Sequence, residues 1–278
     1  MIRRPPRSTL SSSSAASDVY KRQEISEILG GSPYGFYVFN CQAPDAGNME
    51  ILIEVGTSQQ KKDYLTPLLE GKTRSCFAMT EPGYAGSNPT RMGTVAKKEN
   101  GNYIINGHKW FTSSFDGADF AIVMVVTDPD EANPYKRASQ IIVPTNTEGV
   151  EFVRNVSIMG HPGGGWESHA EIKFKNVIVP ESNILGSEGD GFAIAQKRLG
   201  PGRIHHCMRL TGLAERALEA MCKRTKSRIA FGKPVSEQTV TQERIAESRI
   251  MIDQCRLLTL FAAFYLSLLA QINRKVAS

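Results

Sequence analysis

Residues 76–114 read CFAMTEPGYAGSNPTRMGTVAKKENGNYIINGHKWFTSS, and this stretch decides the fold. Two β-like runs, Ser75–Thr80 and Trp110–Ser113, each end in hydroxyl residues. Between them lie a Pro/Gly-rich turn and the pair Asn106-Gly107, which predicts a tight hairpin there. Turn residues without a bulky Cβ let backbone N–H groups approach a ligand closely, which suits a phosphate or the polar edge of a ring. Taken alone, TEPG at Thr80–Gly83 is better read as part of an ordinary β-meander. It is the whole pattern, in this order, that points further.

The rest of the composition narrows the class. The chain's 278 residues suffice for one large domain or two of ordinary size. Its 41% hydrophobic and 22% charged residues are those of a globular protein. The net charge of +5 is unevenly placed: Arg3, Arg4, Arg7, Lys21 and Arg22 against Asp18 give the first 23 residues +4 and leave +1 for the remainder. A nearly neutral body argues against nucleic acid as a partner. The cysteines (Cys41, Cys76, Cys207, Cys222, Cys255) are odd in number and never in a CxxC spacing, which favours free thiols in a reducing compartment. No spaced His/Cys/Asp cluster suggests a metal, and no Walker or Rossmann glycine pattern is present. The longest apolar run, Leu257 to Ala270, falls short of the roughly 20 residues a membrane span needs, so a buried helix and no membrane span are expected.

The first 23 residues, MIRRPPRSTLSSSSAASDVYKRQ, carry no helical or strand period and are set apart. A basic, Ser-rich transit peptide is one explanation; translated sequencing-adapter read-through is the favoured one, with the true reading frame opening near Gln23. Residues 24–72 are helical in pattern, with Tyr64, Leu65, Leu68 and Leu69 on one side of a short helix ended by Gly71. Over residues 73–185 the period switches to two in short runs (Tyr103–Ile105, Ala121–Val126, Gln140–Val143, Glu171–Phe174, Val177–Val179), predicting a small antiparallel barrel or sandwich. Residues 186–278 turn helical again. One long helix is expected after a break at Gly200-Pro201-Gly202, and a second from Val240 to the end. Two such stripes want another pair to cover them, so the expected architecture is α+β, multi-domain, with a C-terminal bundle of which only the first two long helices are present.

The stretch TEPGYAGSN, with NGHKWFTSS after it, resembles the flavin-binding middle domain of the acyl-CoA dehydrogenase family. APDAGNME at Ala43–Glu50, the extra Tyr84, and LGPGRIHHC at Leu199–Cys207 resemble the branch that in animals is often fused to a kinase-like domain. The resemblance implies FAD as cofactor. It places the strand of Phe77, Met79 and Thr80 against the flavin, and Gly86 and Ser87 near the ligand phosphates. It puts Phe111 where relatives carry a flavin-stacking Trp, followed by Thr112 and Ser113, the latter keeping the hydroxyl that faces flavin N5. Trp110 is expected on the opposite strand face.

RIAFG at Arg228–Gly232 resembles the segment that reaches the partner subunit's flavin, with Arg228 suited to pyrophosphate oxygens, Phe231 beside it and Gln238 as a weaker contact. Gly202 occupies the place where some members carry their catalytic glutamate, and Arg203 matches an arginine near the thioester, so Ser87, Gly202 and Arg203 are the expected substrate contacts. His205 and His206 read as packing residues, since adjacent positions face different ways on a helix.

The reaction implied is α,β-desaturation of an acyl-CoA thioester: a carboxylate takes the α-proton and the β-hydrogen leaves as hydride. No catalytic base is expected within these 278 residues, with Glu81, Glu215 and His205 as fallbacks. The resemblance further implies electron-transferring flavoprotein as acceptor and a homodimer or homotetramer. A cytoplasmic place is implied in a bacterium, a mitochondrial or peroxisomal one in a eukaryote. An acyl-CoA oxidase or flavin monooxygenase of the same fold, or a non-catalytic CoA- or flavin-binding scaffold, are the alternatives.

Overall fold

The computed structural model describes residues 19–277, which fall into two compact units. One is continuous, residues 42–199; the other joins residues up to Cys41 with those from Gly200 onward. Residues 1–18 of the leader lie outside the described residues. The helices are α1 (Val19–Gly30), α2 (Gly35–Val38), α3 (Asp45–Val55), α4 (Ser58–Gln60), α5 (Thr66–Leu69), α6 (Gly191–Ser227) and α7 (Thr239–Ala277), with a π turn, Lys61–Leu65, between α4 and α5. The strands are β1 (Ser75–Ala78), β2 (Val95–Glu99), β3 (Asn102–Ser113), β4 (Phe120–Val126), β5 (Ala138–Pro144), β6 (Val150–Asn155), β7 (His169–Pro180) and β8 (Ile184–Leu185); β9 (Ile229–Ala230) and β10 (Lys233–Pro234) form a separate hairpin.

The continuous unit is built around β4, whose FAIVMVV is apolar on both faces because both are covered. Ala121, Val123 and Val125 join Ile141, Ile172 and Val177 in one core, while Phe120 and Ile122 join Leu52, Leu65 and Leu68 in a second beneath the helices. Burying such aliphatic side chains stabilises by about 1.5–3 kcal/mol each. The sheet order is β6-β7-β3-β2-β4-β5-β8, with β1 also on β4. β1 and β2 both run parallel to β4, so the expected antiparallel barrel is a mixed eight-stranded sheet.

Three sequence expectations change here. The β2–β3 hairpin turns at Asn100-Gly101, both with positive φ (50 and 76), and not at Asn106-Gly107. Val95 pairs with Asn106, which leaves Asn106-Gly107 in mid-strand at a register shift against β7. A Cβ on Gly107 would lie 2.3 Å from Thr94 Oγ1, so this glycine serves packing and not a turn. The runs 171–174 and 177–179 are one strand, β7, and β2 and β6 are strands that the period-two reading passed over.

The APDAGNME motif turns out to be an anchor. The buried Asp45 accepts hydrogen bonds from Ser75 N (2.8 Å), Ser75 Oγ (2.7 Å) and Arg74 Nη1 (3.0 Å). Asn48 Nδ2 donates to Ser75 Oγ (2.9 Å) and Cys76 O (3.1 Å). Together they fix where β1 begins.

In the discontinuous unit, α1 starts inside the segment set apart by sequence, and Gln23 is buried with its Nε2 2.9 Å from His205 Nδ1. α1 and α6 cross closely: a Cβ on Gly212 would lie 1.9 Å from Glu27 O. Helix α6 runs unbroken through Gly200-Pro201-Gly202, against the expected break. The proline costs roughly 3 kcal/mol in a helix interior, but Ile194 and Ala195 before it and Met208 and Leu218 after it are buried and hold the helix on either side.

Helix α7 contains an 18-residue window apolar enough to cross a membrane by length and composition, so the single apolar run understates it. Within the unit, however, Arg249 pairs with Glu215 (2.6 Å), and Arg256 with Glu27 (2.8 Å) and Glu215 (2.9 Å). Between α6 and α7 runs an apolar groove of about 710 Å³, lined by residues including Leu210, Ala214, Met251 and Leu258.

Candidate functional site

Two hydrogen bonds join the ends of the two decisive strands. Trp110 N donates to Thr80 O (3.0 Å), and Thr80 Oγ1 donates to Trp110 O (2.8 Å). Beneath them lies a buried ion pair. Lys109 Nζ is 2.8 Å from Glu81 Oε1 and 2.9 Å from Met79 O, with both side chains almost wholly out of solvent. Glu81 also accepts from Gly93 N (2.6 Å) and Thr94 N (2.9 Å), which closes the base of the loop 82–92. Burial pushes the Glu81 carboxyl up, but Lys109 and hydrogen bonds from Thr94 and Gly93 outweigh it and hold the group below the ordinary carboxylate range. Burial pulls the Lys109 ammonium down to about 8, against the pull of Glu81. Glu81 is thus a clamp and is committed away from the role of base.

At the end of β3 the strand alternation fails. A register shift between Lys109 and Thr112 marks a bulge, with Phe111 at φ 50. Bulges re-aim side chains. Lys109 and Thr112 both turn inward, while Phe111 is exposed. Trp110 does not face away from Phe111: their rings meet edge to face with centroids 5.0 Å apart. Thr112 Oγ1 is buried without a hydrogen-bond partner. Ser113 Oγ lies 2.8 Å from His169 Nδ1, on the paired residue of β7.

Phe77 and Met79 sit half-buried at the end of β1, on the helix-covered side. The Arg198 guanidinium lies over the Phe77 ring at 4.3 Å, and burial lowers its pKa to about 10 with Glu50 opposing. Gly86 and Ser87 are exposed in the loop, and Asn88 Oδ1 accepts from Thr90 N (3.2 Å) and Thr90 Oγ1 (2.7 Å) to shape the turn. The structure therefore brings Phe77, Met79, Thr80, Phe111, Thr112 and Ser113 to adjoining strand ends, with Gly86 and Ser87 on the loop between.

The remaining expected site residues lie in the other unit. Arg228 is exposed just after α6, and Phe231-Gly232 form the turn of the β9–β10 hairpin with φ 53 and 81. Phe231 is 99% exposed, an apolar ring held fully in solvent. Gln238 caps α7 through its carbonyl, which accepts from Thr241 N (2.9 Å) and Gln242 N (3.1 Å). Gly202 is inside α6 and Arg203 is exposed on it. The two other fallback bases are also engaged. Hydrogen bonds from Arg249 and Arg256 hold Glu215 below the ordinary carboxylate range. Burial, helped by Arg22 and His206, pushes His205 down to about 3, so it stays neutral beside Gln23.

Comparison with known proteins identifies the family. Residues 76–177 match the acyl-CoA dehydrogenase middle domain, and residues 189–276 match the acyl-CoA dehydrogenase C-terminal domain. The chain belongs to the acyl-CoA dehydrogenase family. It is 50% identical over 243 residues to acyl-CoA dehydrogenase family member 10 of Mus musculus, covering 86% of this chain and 22% of that protein. It is 48% identical to family member 11 of Gallus gallus over 90% of this chain and 32% of that protein. Among solved structures, butyryl-CoA dehydrogenase of Megasphaera elsdenii superposes with a TM-score of 0.79 at 28% identity, over 93% of this chain and 66% of that one. The chain thus spans between about a fifth and a third of those curated relatives.

For an acyl-CoA dehydrogenase, the strand ends fit a flavin cofactor on their own chemistry. Thr112 supplies a buried, unanswered hydroxyl, Phe111 an exposed ring, and residues 85–88 an exposed run of small side chains. Sequence reasoning missed Lys109, His169 and Arg198. The only signal for the first was a charged residue in a strand with an acid beside the opposite strand's end, and period-two logic could not see it through the bulge.

Proposed function

We propose that this chain carries the FAD-binding part of an acyl-CoA dehydrogenase that desaturates an acyl-CoA thioester between its α and β carbons and passes electrons to an electron-transferring flavoprotein. The observation that supports it is the clamp of Thr80 on Trp110 over the Glu81–Lys109 pair, which brings the two hydroxyl-bearing strand ends together. When bound, FAD would supply the two-electron acceptor. Phe77, Met79, Thr80, Phe111, Thr112 and Ser113 would hold its ring, and Gly86 and Ser87 would lie on its phosphate side and toward the CoA. Arg228, Phe231 and Gln238 would reach the cofactor of a second copy, and Arg203 with Gly202 would lie near the thioester.

Since Glu81, Glu215 and His205 are each committed to other groups, none of them takes the α-proton. The test is to titrate the purified chain with FAD, following flavin fluorescence, and then add a panel of acyl-CoA thioesters. Saturable FAD binding without rapid bleaching is expected. A chain that ignores FAD overturns the cofactor assignment, and rapid bleaching would show that a base is present after all.

A further inference from the structure

His169 has no role in the reading so far. It lies on β7 directly across from Ser113 on β3, and its Nδ1 is 2.8 Å from Ser113 Oγ. A serine hydroxyl has one proton to give and can accept from other donors, so what its neighbour does fixes what it can offer elsewhere. If Ser113 donates to a bare Nδ1, its proton is spent within the protein. If the imidazole carries its proton on Nδ1 and donates, the Ser113 proton is left to point at a ligand.

The other strand-end hydroxyls are not directed in this way. Thr80 Oγ1 already donates to Trp110 O, and Thr112 Oγ1 has no side-chain partner that would set its direction. Ser114 Oγ donates to Trp166 O (2.9 Å). Ser113 is thus the strand-end hydroxyl whose direction is set by a side chain that can act as donor or acceptor.

We infer that His169 is a positioning residue, its Nδ1–H donating to Ser113 Oγ and thereby aiming the Ser113 proton at the polar ring edge of the cofactor. This rests on the flavin-binding reading above and goes beyond it by naming the group that sets the polarity of that contact. Tautomers are fixed by the hydrogen bonds the ring makes, and such a neighbour is often as important as the residue it orients.

The test uses the full 278-residue chain and two readouts. Histidine ¹⁵N chemical shifts of the ligand-free chain should show His169 as the Nδ1–H tautomer at neutral pH; a bare Nδ1 overturns the inference without reference to any cofactor. FAD affinity is then measured for wild type, His169→Leu, His169→Asn, Ser113→Ala and His169→Leu with Ser113→Ala. His169→Leu should weaken FAD binding by about two- to twelve-fold, the loss of one neutral hydrogen bond. His169→Asn, whose amide can donate from a similar place, should restore most of it. In the Ser113→Ala background His169→Leu should have no further effect. An equal loss in that background means a general structural role and overturns the inference while leaving the flavin-binding reading intact. Failure of wild type to bind FAD overturns both.

Discussion

At the scale of single residues, the Glu81–Lys109 pair is the most consequential contact in the continuous unit. Lys109 is completely buried, so removing its partner strands a charge away from water. Breaking a buried pair from one side costs about 3–5 kcal/mol, whereas replacing both partners with apolar or neutral groups of similar size is often close to neutral. Glu81→Gln is therefore expected to lower stability by about that amount in urea denaturation, and Glu81→Gln with Lys109→Met to recover much of it. An equal loss in the double variant would mean that shape and not charge governs the clamp. The pH dependence follows from the same pair. The folded pKa of Glu81 lies below its ordinary value of 4.5, so the folded state binds the proton less readily than the unfolded chain. Its contribution is full above that value and is lost as the pH falls through the folded pKa. Glu81→Gln should flatten the acid limb of the stability curve below about pH 4.5.

At the scale of elements, the two Asn-Gly pairs make a controlled comparison. Gly101 is at the hairpin turn with open space around it, so Gly101→Ala meets only the penalty of φ 76. Gly107 is extended but lies against Thr94, where a new Cβ would overlap side-chain atoms. Overpacking of this kind costs about 1–3 kcal/mol, against roughly 1 kcal/mol for alanine in the left-handed region. Gly107→Ala should thus lower the melting temperature more than Gly101→Ala; the reverse order would mean that Thr94 yields to the new Cβ.

This pair also shows what was legible in the sequence. The dipeptide announces a turn, but only the strand register says which of two copies makes it. Likewise β4 was plain from its apolar run, and the helix through Leu65 and Leu68 from its spacing. β6 was not, because its burial pattern is exposed almost throughout and offers no alternation to read. The hydroxyl strand ends were found by resemblance. Lys109, His169 and Arg198 were not, because each acts through a partner 28 or more residues away in sequence, and nothing local marks it. The triplet at Gly200 failed as a helix break because local propensity was set against packing on both sides of it.

At the scale of the whole molecule, the fully exposed Phe231 on a two-residue turn is costly to leave in water, and a second copy is the expected cover. Sedimentation velocity on the purified chain should show an oligomer that Phe231→Ser weakens. A monomer for wild type that nevertheless retains FAD would remove the cross-subunit role assigned to Arg228 and Phe231.

The division of the chain also has a consequence in time. Residues 42–199 form one unbroken stretch, so every contact of that unit is available once Leu199 has been synthesised. The other unit must bring α1 back to α6 and α7 across that whole stretch, and closing a longer loop costs more entropy and slows the search. Chains tend to fold domain by domain as they emerge. During refolding, pulse-labelled amides of β4 and β5 should become protected before those of α1, and the Arg256–Glu27 contact should be among the last to form. Simultaneous protection of both sets would instead make the molecule a single cooperative folding event.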